Sequence, residues 1–167
     1  MPEGMYTPRK VVAAYTHRQT DIAFGLLEPL WNRQTRKPLF FLSVVLSGVH
    51  PKVGERVTCY SFPQTITAHY GEQQLVVPQG GWETGTIHQV FLEGRDRIVQ
   101  PGICFETSLN IPGGGSGGPV FNSKGQVFGV VSSGITEAEV TYVASVVELL
   151  DFPLDGRSCL MALRGNP

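Results

Sequence analysis

The residue best placed to do chemistry is Ser116, set in the run Gly113-Gly114-Gly115-Ser116-Gly117-Gly118-Pro119. A serine that attacks a carbonyl needs backbone N–H groups aimed at the oxygen on which negative charge develops, and a chain path that side chains do not obstruct. Gly114 and Ser116 are the residues expected to supply those two N–H groups as an oxyanion hole. Gly117 and Gly118 would keep the turn clear for the carbonyl, and Pro119 suits the first position of a strand, where no ladder donor is required. A Gly/Ser run can also be a flexible linker. A linker is expected between polar flanks, whereas this run enters Pro119-Val120-Phe121, then Asn122-Ser123-Lys124-Gly125, then Val127-Phe128-Gly129-Val130-Val131-Ser132-Ser133-Gly134. Asn and Gly tolerate the backbone angles of a tight reversal, so a hairpin follows the serine and the linker reading loses ground.

A nucleophilic serine needs a base, and none of the four histidines, His17, His50, His69 and His88, stands in a setting that marks it as one. Thr65-Ile66-Thr67-Ala68-His69-Tyr70 suggests the order His69, Asp96, Ser116. The interval from Asp96 to Ser116 is too short for the strands that must separate them, and His69 is read as a loop residue. His50 and His88 are read as surface or strand imidazoles, the usual condition of a histidine without a partner. His17 lies in the polar stretch just before Asp21.

The elements that would position Ser116 are strands. Twenty glycines and twelve prolines, scattered without a repeat, suit short strands joined by turns better than helices, whose interiors both residues disrupt. The apolar runs Lys10 to Tyr15 and Asp21 to Leu27 are expected to pair across the polar turn Thr16 to Thr20. Pro29 to Pro38 reads as a connecting loop. Further candidates are Val53 to Phe62, Trp82 to Phe91, Ile103 to Thr107, Pro119 to Phe121, Val127 to Ser132 and Val140 to Val147. Glu137 to Leu150 is expected to begin as a strand and end as a short C-terminal helix. The fold class is all-β.

Composition narrows the partners. Thirteen Lys+Arg against fourteen Asp+Glu leave a net charge of −1, so no field favours nucleic acid or an anionic membrane. Cys59, Cys104 and Cys159 have neither the spacing of a metal site nor that of a disulfide framework, and read as buried thiols. No metal or cofactor is expected. The polar start of the chain is unlike a leader, and the apolar run Leu39 to Leu46 is too short to cross a bilayer, so a cytoplasmic location is expected.

Gly114-Gly115-Ser116-Gly117-Gly118-Pro119 followed by Gly129-Val130-Val131-Ser132-Ser133-Gly134 resembles the paired motifs of the trypsin-like (chymotrypsin-fold) serine proteases, and is similar to their bacterial high-temperature-requirement branch. By that resemblance Ser116 matches the nucleophile, Gly114 the oxyanion-hole glycine, Ser132 the serine beside the catalytic aspartate, and Gly134 a wall of the specificity pocket. Ser133 stands between those two along the substrate-binding strand, and Asn110 matches the base of the pocket. Tyr142 is expected near its far side, shortening it for small or medium uncharged side chains. Asp21-Ile22-Ala23-Phe24-Gly25-Leu26-Leu27 is similar to the family's aspartate strand, which makes Asp21 the third triad member, orienting the base histidine.

The resemblance implies one peptidase domain over 1–167: a remnant of a first barrel with its connector over 1–48, a complete second barrel over 49–150, and an extension over 151–167. It also exposes a gap, because the family carries its histidine on a strand well before the aspartate. Three explanations stand: a fragment or mis-started product lacking an N-terminal segment, a partner chain that supplies the histidine, or a degenerate fold kept for binding. A second departure is Gly115, where the family usually has Asp or Asn. The expected function is a serine endopeptidase acting on polypeptide substrates through an acyl-enzyme on Ser116. The alternative is a non-catalytic, protease-like module that binds a peptide ligand.

Overall fold

The computed structural model describes residues 9–17, 19–39, 43–71, 73–135, 139–150, 153–154 and 157–158. Two compact units are present, one formed by Met1–Thr16 with Ala23–Ser43 and the other by His17–Ile22 with Val44–Pro167.

In the first unit β1 (Val11–Thr16) pairs antiparallel with β2 (Ala23–Leu27), as the two apolar runs predict. Tyr15 stacks on Phe24 with ring centroids 5.2 Å apart, a cross-strand pair that fixes the register. The Pro29 to Pro38 segment is a loop closed by a bridge between Trp31 and Pro38.

The second unit is a closed antiparallel barrel. It takes its strands from β3 (Arg56–Ser61), β6 (Gly81–Phe91), β7 (Cys104–Thr107), β8 (Pro119–Phe121), β9 (Val127–Ile135) and β10 (Val140–Ser145), in the order β10-β7-β6-β3-β8-β9. These are the six runs expected from the sequence in this part of the chain. Alternation does the work: β3 turns Val57, Cys59 and Ser61 inward, where Val57 and Cys59 join Ile87, Phe105, Leu109, Val120, Phe128, Val131 and Val143 in one core. Closure gives every strand two partners and leaves no long open edge, which suits so small a sheet.

The β8–β9 reversal is built as its residues dictate. The Asn122 carboxamide oxygen accepts from the Lys124 and Gln126 N–H groups at 3.0 Å each, and the Gly125 N–H donates to the Asn122 carbonyl at 3.0 Å.

Several expectations are adjusted. The helical end is one 3₁₀ turn, Val147–Leu149, after a strand rich in β-branched residues. Thr65 to Tyr70 is not a loop: Ile66–Tyr70 forms β4, paired with β5 (Gln73–Val77) in a separate hairpin that carries His69 opposite Gln74. Cys59 and Cys104 are buried free thiols, and burial pushes Cys59 up to about 11, against a lowering hydrogen bond from Ser61. Cys159 lies outside the described residues, as does most of the 151–167 extension.

Candidate active site

Ser116 sits at the tip of two consecutive turns. The Gly115 N–H donates to the Pro112 carbonyl and the Gly118 N–H to the Gly115 carbonyl, both at 3.1 Å. The third residues of these turns, Gly114 and Gly117, have φ of 95° and 84°. A four-residue turn with positive φ at its third position has type II character, which a residue with a Cβ resists. Gly114 and Gly117 therefore have work that a linker glycine lacks. At Gly118 a Cβ would meet the Ser61 Cβ and the Tyr60 carbonyl oxygen, each at 2.8 Å. The loop is sewn to β9 by Gly117 N–H to the Val131 carbonyl at 2.7 Å and Val131 N–H to the Gly118 carbonyl at 2.9 Å.

This double turn sorts the backbone donors. The N–H groups of Gly115 and Gly118 are consumed within the turns and that of Gly117 by β9, whereas among the described residues those of Gly113, Gly114 and Ser116 take no acceptor. Ser116 is exposed while Gly115 and Gly118 are buried. An oxyanion site requires uncommitted N–H groups of this kind beside an exposed hydroxyl.

On one flank of Ser116 lies a cavity of about 100 Å³, lined by Ile111, Pro112, Gly113, Ser116, Val131, Ser133 and Gly134. Ser133 and Gly134 are thus lining residues of this cavity. Asn110 is exposed and is not among the lining residues, and the wall on that side comes from Ile111 to Gly113. Tyr142 is likewise not a lining residue. Its hydroxyl donates to Glu106 Oε2 at 3.2 Å, and the Arg95 guanidinium lies over its ring, 4.1 Å from the centroid.

Ser132 links Ser116 to Asp21. Along β9 and β10, Ser133 faces Tyr142 and Val131 faces Val143, so Ser132 is the extra residue of a β-bulge. A bulged residue leaves the ladder, and here both of its polar groups are used elsewhere. The Ser132 carbonyl accepts from Ser116 Oγ at 3.3 Å, and the Ser132 hydroxyl donates to Asp21 Oδ2. Asp21 itself is exposed, in the turn His17–Ile22, where His17 N–H donates to the Ile22 carbonyl at 3.0 Å and His17 Nδ1 meets Thr20 Oγ1 at 3.0 Å.

The other imidazoles are placed as follows. His50 packs edge-on against Phe105, centroids 5.7 Å apart; His69 is exposed on β4, and His88 exposed on β6. Asp96 spends its carboxylate locally: Oδ1 accepts from the Ile98, Val99 and Gln100 N–H groups at 2.9, 2.6 and 3.3 Å, and Oδ2 meets Arg95 at 2.8 Å. These bonds, Val99 and Ile98 foremost, hold it well below the usual carboxylate range. Asp96 therefore serves its own loop, and among the described residues no hydrogen bond joins it to His69.

One residue near the site has no signal in the sequence. Gln100, 2% exposed, donates from Nε2 to Ser132 Oγ at 2.6 Å and to Ser133 Oγ at 3.3 Å. Its burial is a product of the tertiary fold, and nothing in its neighbours along the chain marks it. No group of three or more metal-ligating side chains occurs among the described residues.

Comparison with known proteins agrees with the barrel fold. The active form of the Rv3671c protease from M. tuberculosis superposes with a TM-score of 0.54 at 19% identity, covering 90% of this chain and 63% of that one. Deg5 gives 0.50 at 20% identity, over 83% and 55% of the two chains. The genome polyprotein of Omsk hemorrhagic fever virus is 24% identical over 157 residues, which is 87% of this chain and 4% of that protein. The chain therefore spans about three fifths of the solved structures it resembles and a small part of the polyprotein. The solved structures share an all-β, barrel-based fold with it. The trypsin-like peptidase domain family matches residues 2–130, well over half of the sequence and including the Ser116 loop, and the chain belongs to that family.

Proposed function

We propose that this chain carries the nucleophile half of a serine endopeptidase. Ser116 attacks a peptide carbonyl, and the Gly114 and Ser116 N–H groups hold the oxyanion. Asp21 orients a histidine contributed by sequence beyond these residues or by a partner chain, and that histidine moves the proton. The observation that supports this best is the double turn, which leaves the Gly114 and Ser116 N–H groups without an acceptor while exposing Ser116. β8 runs beside β9 only as far as Pro119 opposite Val130, so the stretch from Ser132 to Gly134 offers an edge along which an extended polypeptide can add as a strand. The cavity at Ile111, Val131 and Gly134 is small and uncharged, which favours a small or medium uncharged side chain at the acyl position. Asn110 and Ser133 remain candidates for contacts at its rim.

An organophosphorus serine probe tests the reading. In a longer form that contains the histidine, it should label Ser116 with a rate that rises through an imidazole-like titration, and Ser116→Ala should abolish the label. An intact, folded longer form whose Ser116 stays unlabelled overturns it. In the 167-residue chain alone, labelling should be weak or absent.

The second reading, a peptide-binding module without catalysis, has its own support: the Ser116 hydroxyl is directed at a backbone carbonyl and not at an imidazole. It requires peptide affinity that Ser116→Ala leaves unchanged, in a longer form that does not turn substrate over.

A further inference from the structure

Ser132 Oγ has two polar neighbours, Gln100 Nε2 at 2.6 Å and Asp21 Oδ2. A serine hydroxyl owns one proton, and an ionised carboxylate only accepts. Both contacts are satisfied together only if the Gln100 amide presents its N–H to Ser132, which obliges the serine to spend its proton on Asp21. With the amide reversed, its oxygen and the carboxylate would compete for that proton. The second Nε2 proton reaches Ser133 Oγ at 3.3 Å, so one buried amide holds both serines of the β9 edge. This matters because Ser132 is the bulge residue, and no ladder pairing aims its side chain.

The main chain that carries this side chain is held in turn. The Gln100 main-chain carbonyl accepts from the Arg95 and Asp96 N–H groups at 2.9 and 3.3 Å, and the Gln100 main-chain N–H donates to Asp96 Oδ1 at 3.3 Å. Arg95 bonds Asp96 and lies over the ring of Tyr142, the β10 residue that faces Ser133 across the bulge. The Arg95–Gln100 loop is thus tied to the strand whose partner it orients.

We propose that Gln100 is a positioning residue: it fixes the direction of the Ser132 hydroxyl, and through it the orientation of the Asp21 carboxylate toward the catalytic base. The hydrogen-bond relay is a statement about this chain. Its consequence for turnover rests on the peptidase reading above.

The two parts are read separately. In the 167-residue chain the Gln100 side-chain amide protons are followed by NMR and identified by their absence in Gln100→Met, an unbranched apolar replacement. Ser132→Ala should shift them. Asp21→Ala, at an exposed residue with no bond to Gln100, should shift them too, because the freed serine proton reorients. Shifts with Ser132→Ala alone, or with neither, overturn the relay whatever the activity of the protein. In a longer, active form Gln100→Met should lower kcat about tenfold with KM changed less than about twofold, and should add little to the loss in an Asp21→Ala background. A parallel rise in KM, or a full further loss in that background, would mark Gln100 as a support for the substrate edge and overturn the positioning role. A wild-type protein without turnover in any form would instead count against the peptidase reading and leave the relay to the NMR result.

Discussion

In β9 and β10 the apolar residues Val127, Phe128, Val131 and Val143 are buried, whereas in β1 and β2 Val11, Val12 and Leu27 stand 54%, 56% and 47% exposed. Both regions are antiparallel strands written in much the same residues. The difference is closure. Six strands that return on themselves enclose a volume, and each inward side chain meets others from across the barrel. Two strands have one neighbour each and no interior, so their apolar residues gain propensity and cross-strand contact but little burial. The Ser116 loop is hung on the first kind of structure, leading into β8 and bonded to β9. The turn carrying Asp21 groups with the barrel as well, while the strands on either side of it belong to the hairpin. The parts of the site that need fixed geometry are those the closed core can hold.

The largest expected effect comes from hollowing that core. Phe105 is fully buried, edge-on to Phe128 at 5.3 Å. Phe105→Ala should cost about 3–5 kcal/mol by the lost transfer energy and the cavity left behind. Denaturant unfolding measures it, and a cost below about 1 kcal/mol would mean the barrel is not the stable region. Overfilling should cost less. A Cβ at Gly129 would meet Val143 Cγ1 at 2.4 Å and the Ala144 carbonyl oxygen at 2.6 Å, and a backbone carbonyl cannot swing aside. Gly129→Ala should therefore destabilise by about 1–3 kcal/mol, with the β9–β10 amides losing hydrogen-exchange protection first.

What the sequence made legible follows the same division. Apolar runs set off by turn residues announce strands that line a closed interior, and all six barrel strands were readable from them. β4 and β5 were not, because Ile66 to His69 are all exposed and no pattern of burial is imposed on them. At the site, the glycine run and the serine could be read because backbone conformation dictates those residue types. Ser132 could be singled out by its motif, but its bulge could not, since register is decided by both strands together. Gln100 was invisible for a related reason: a glutamine becomes a buried donor only when a loop folds over it. Asn110 is a position carried by resemblance alone, and the structure places it exposed.

The loop that delivers Gln100 offers a smaller effect with a defined pH dependence. Asp96 is held below the usual carboxylate range by the Val99 and Ile98 N–H groups, so its ionised form favours the folded state. That contribution is complete above the unfolded carboxylate value, about 4, and is lost as the pH falls toward the depressed folded value. Asp96→Asn should therefore unfold at lower denaturant than the parent at pH 7, and the gap should narrow steadily below about pH 4. A gap that is constant with pH would show that the charge contributes nothing and that the loop is held by shape alone.

The smallest effect belongs to the hairpin, and it tests the comparison from the other side. Val12→Thr keeps a β-branched side chain and its strand preference, and exchanges a methyl group for a hydroxyl at a position more than half exposed. With so little apolar area removed from water in the folded chain, the change should stay within about 0.5 kcal/mol. The informative control is Val143→Thr, the same chemical change in a side chain with no exposure, where the buried hydroxyl must find a partner or go without. That variant should cost about 1–3 kcal/mol. Equal costs at the two positions would mean that Val12 is covered in solution, and the contrast between a filled barrel and a bare hairpin would have to be abandoned.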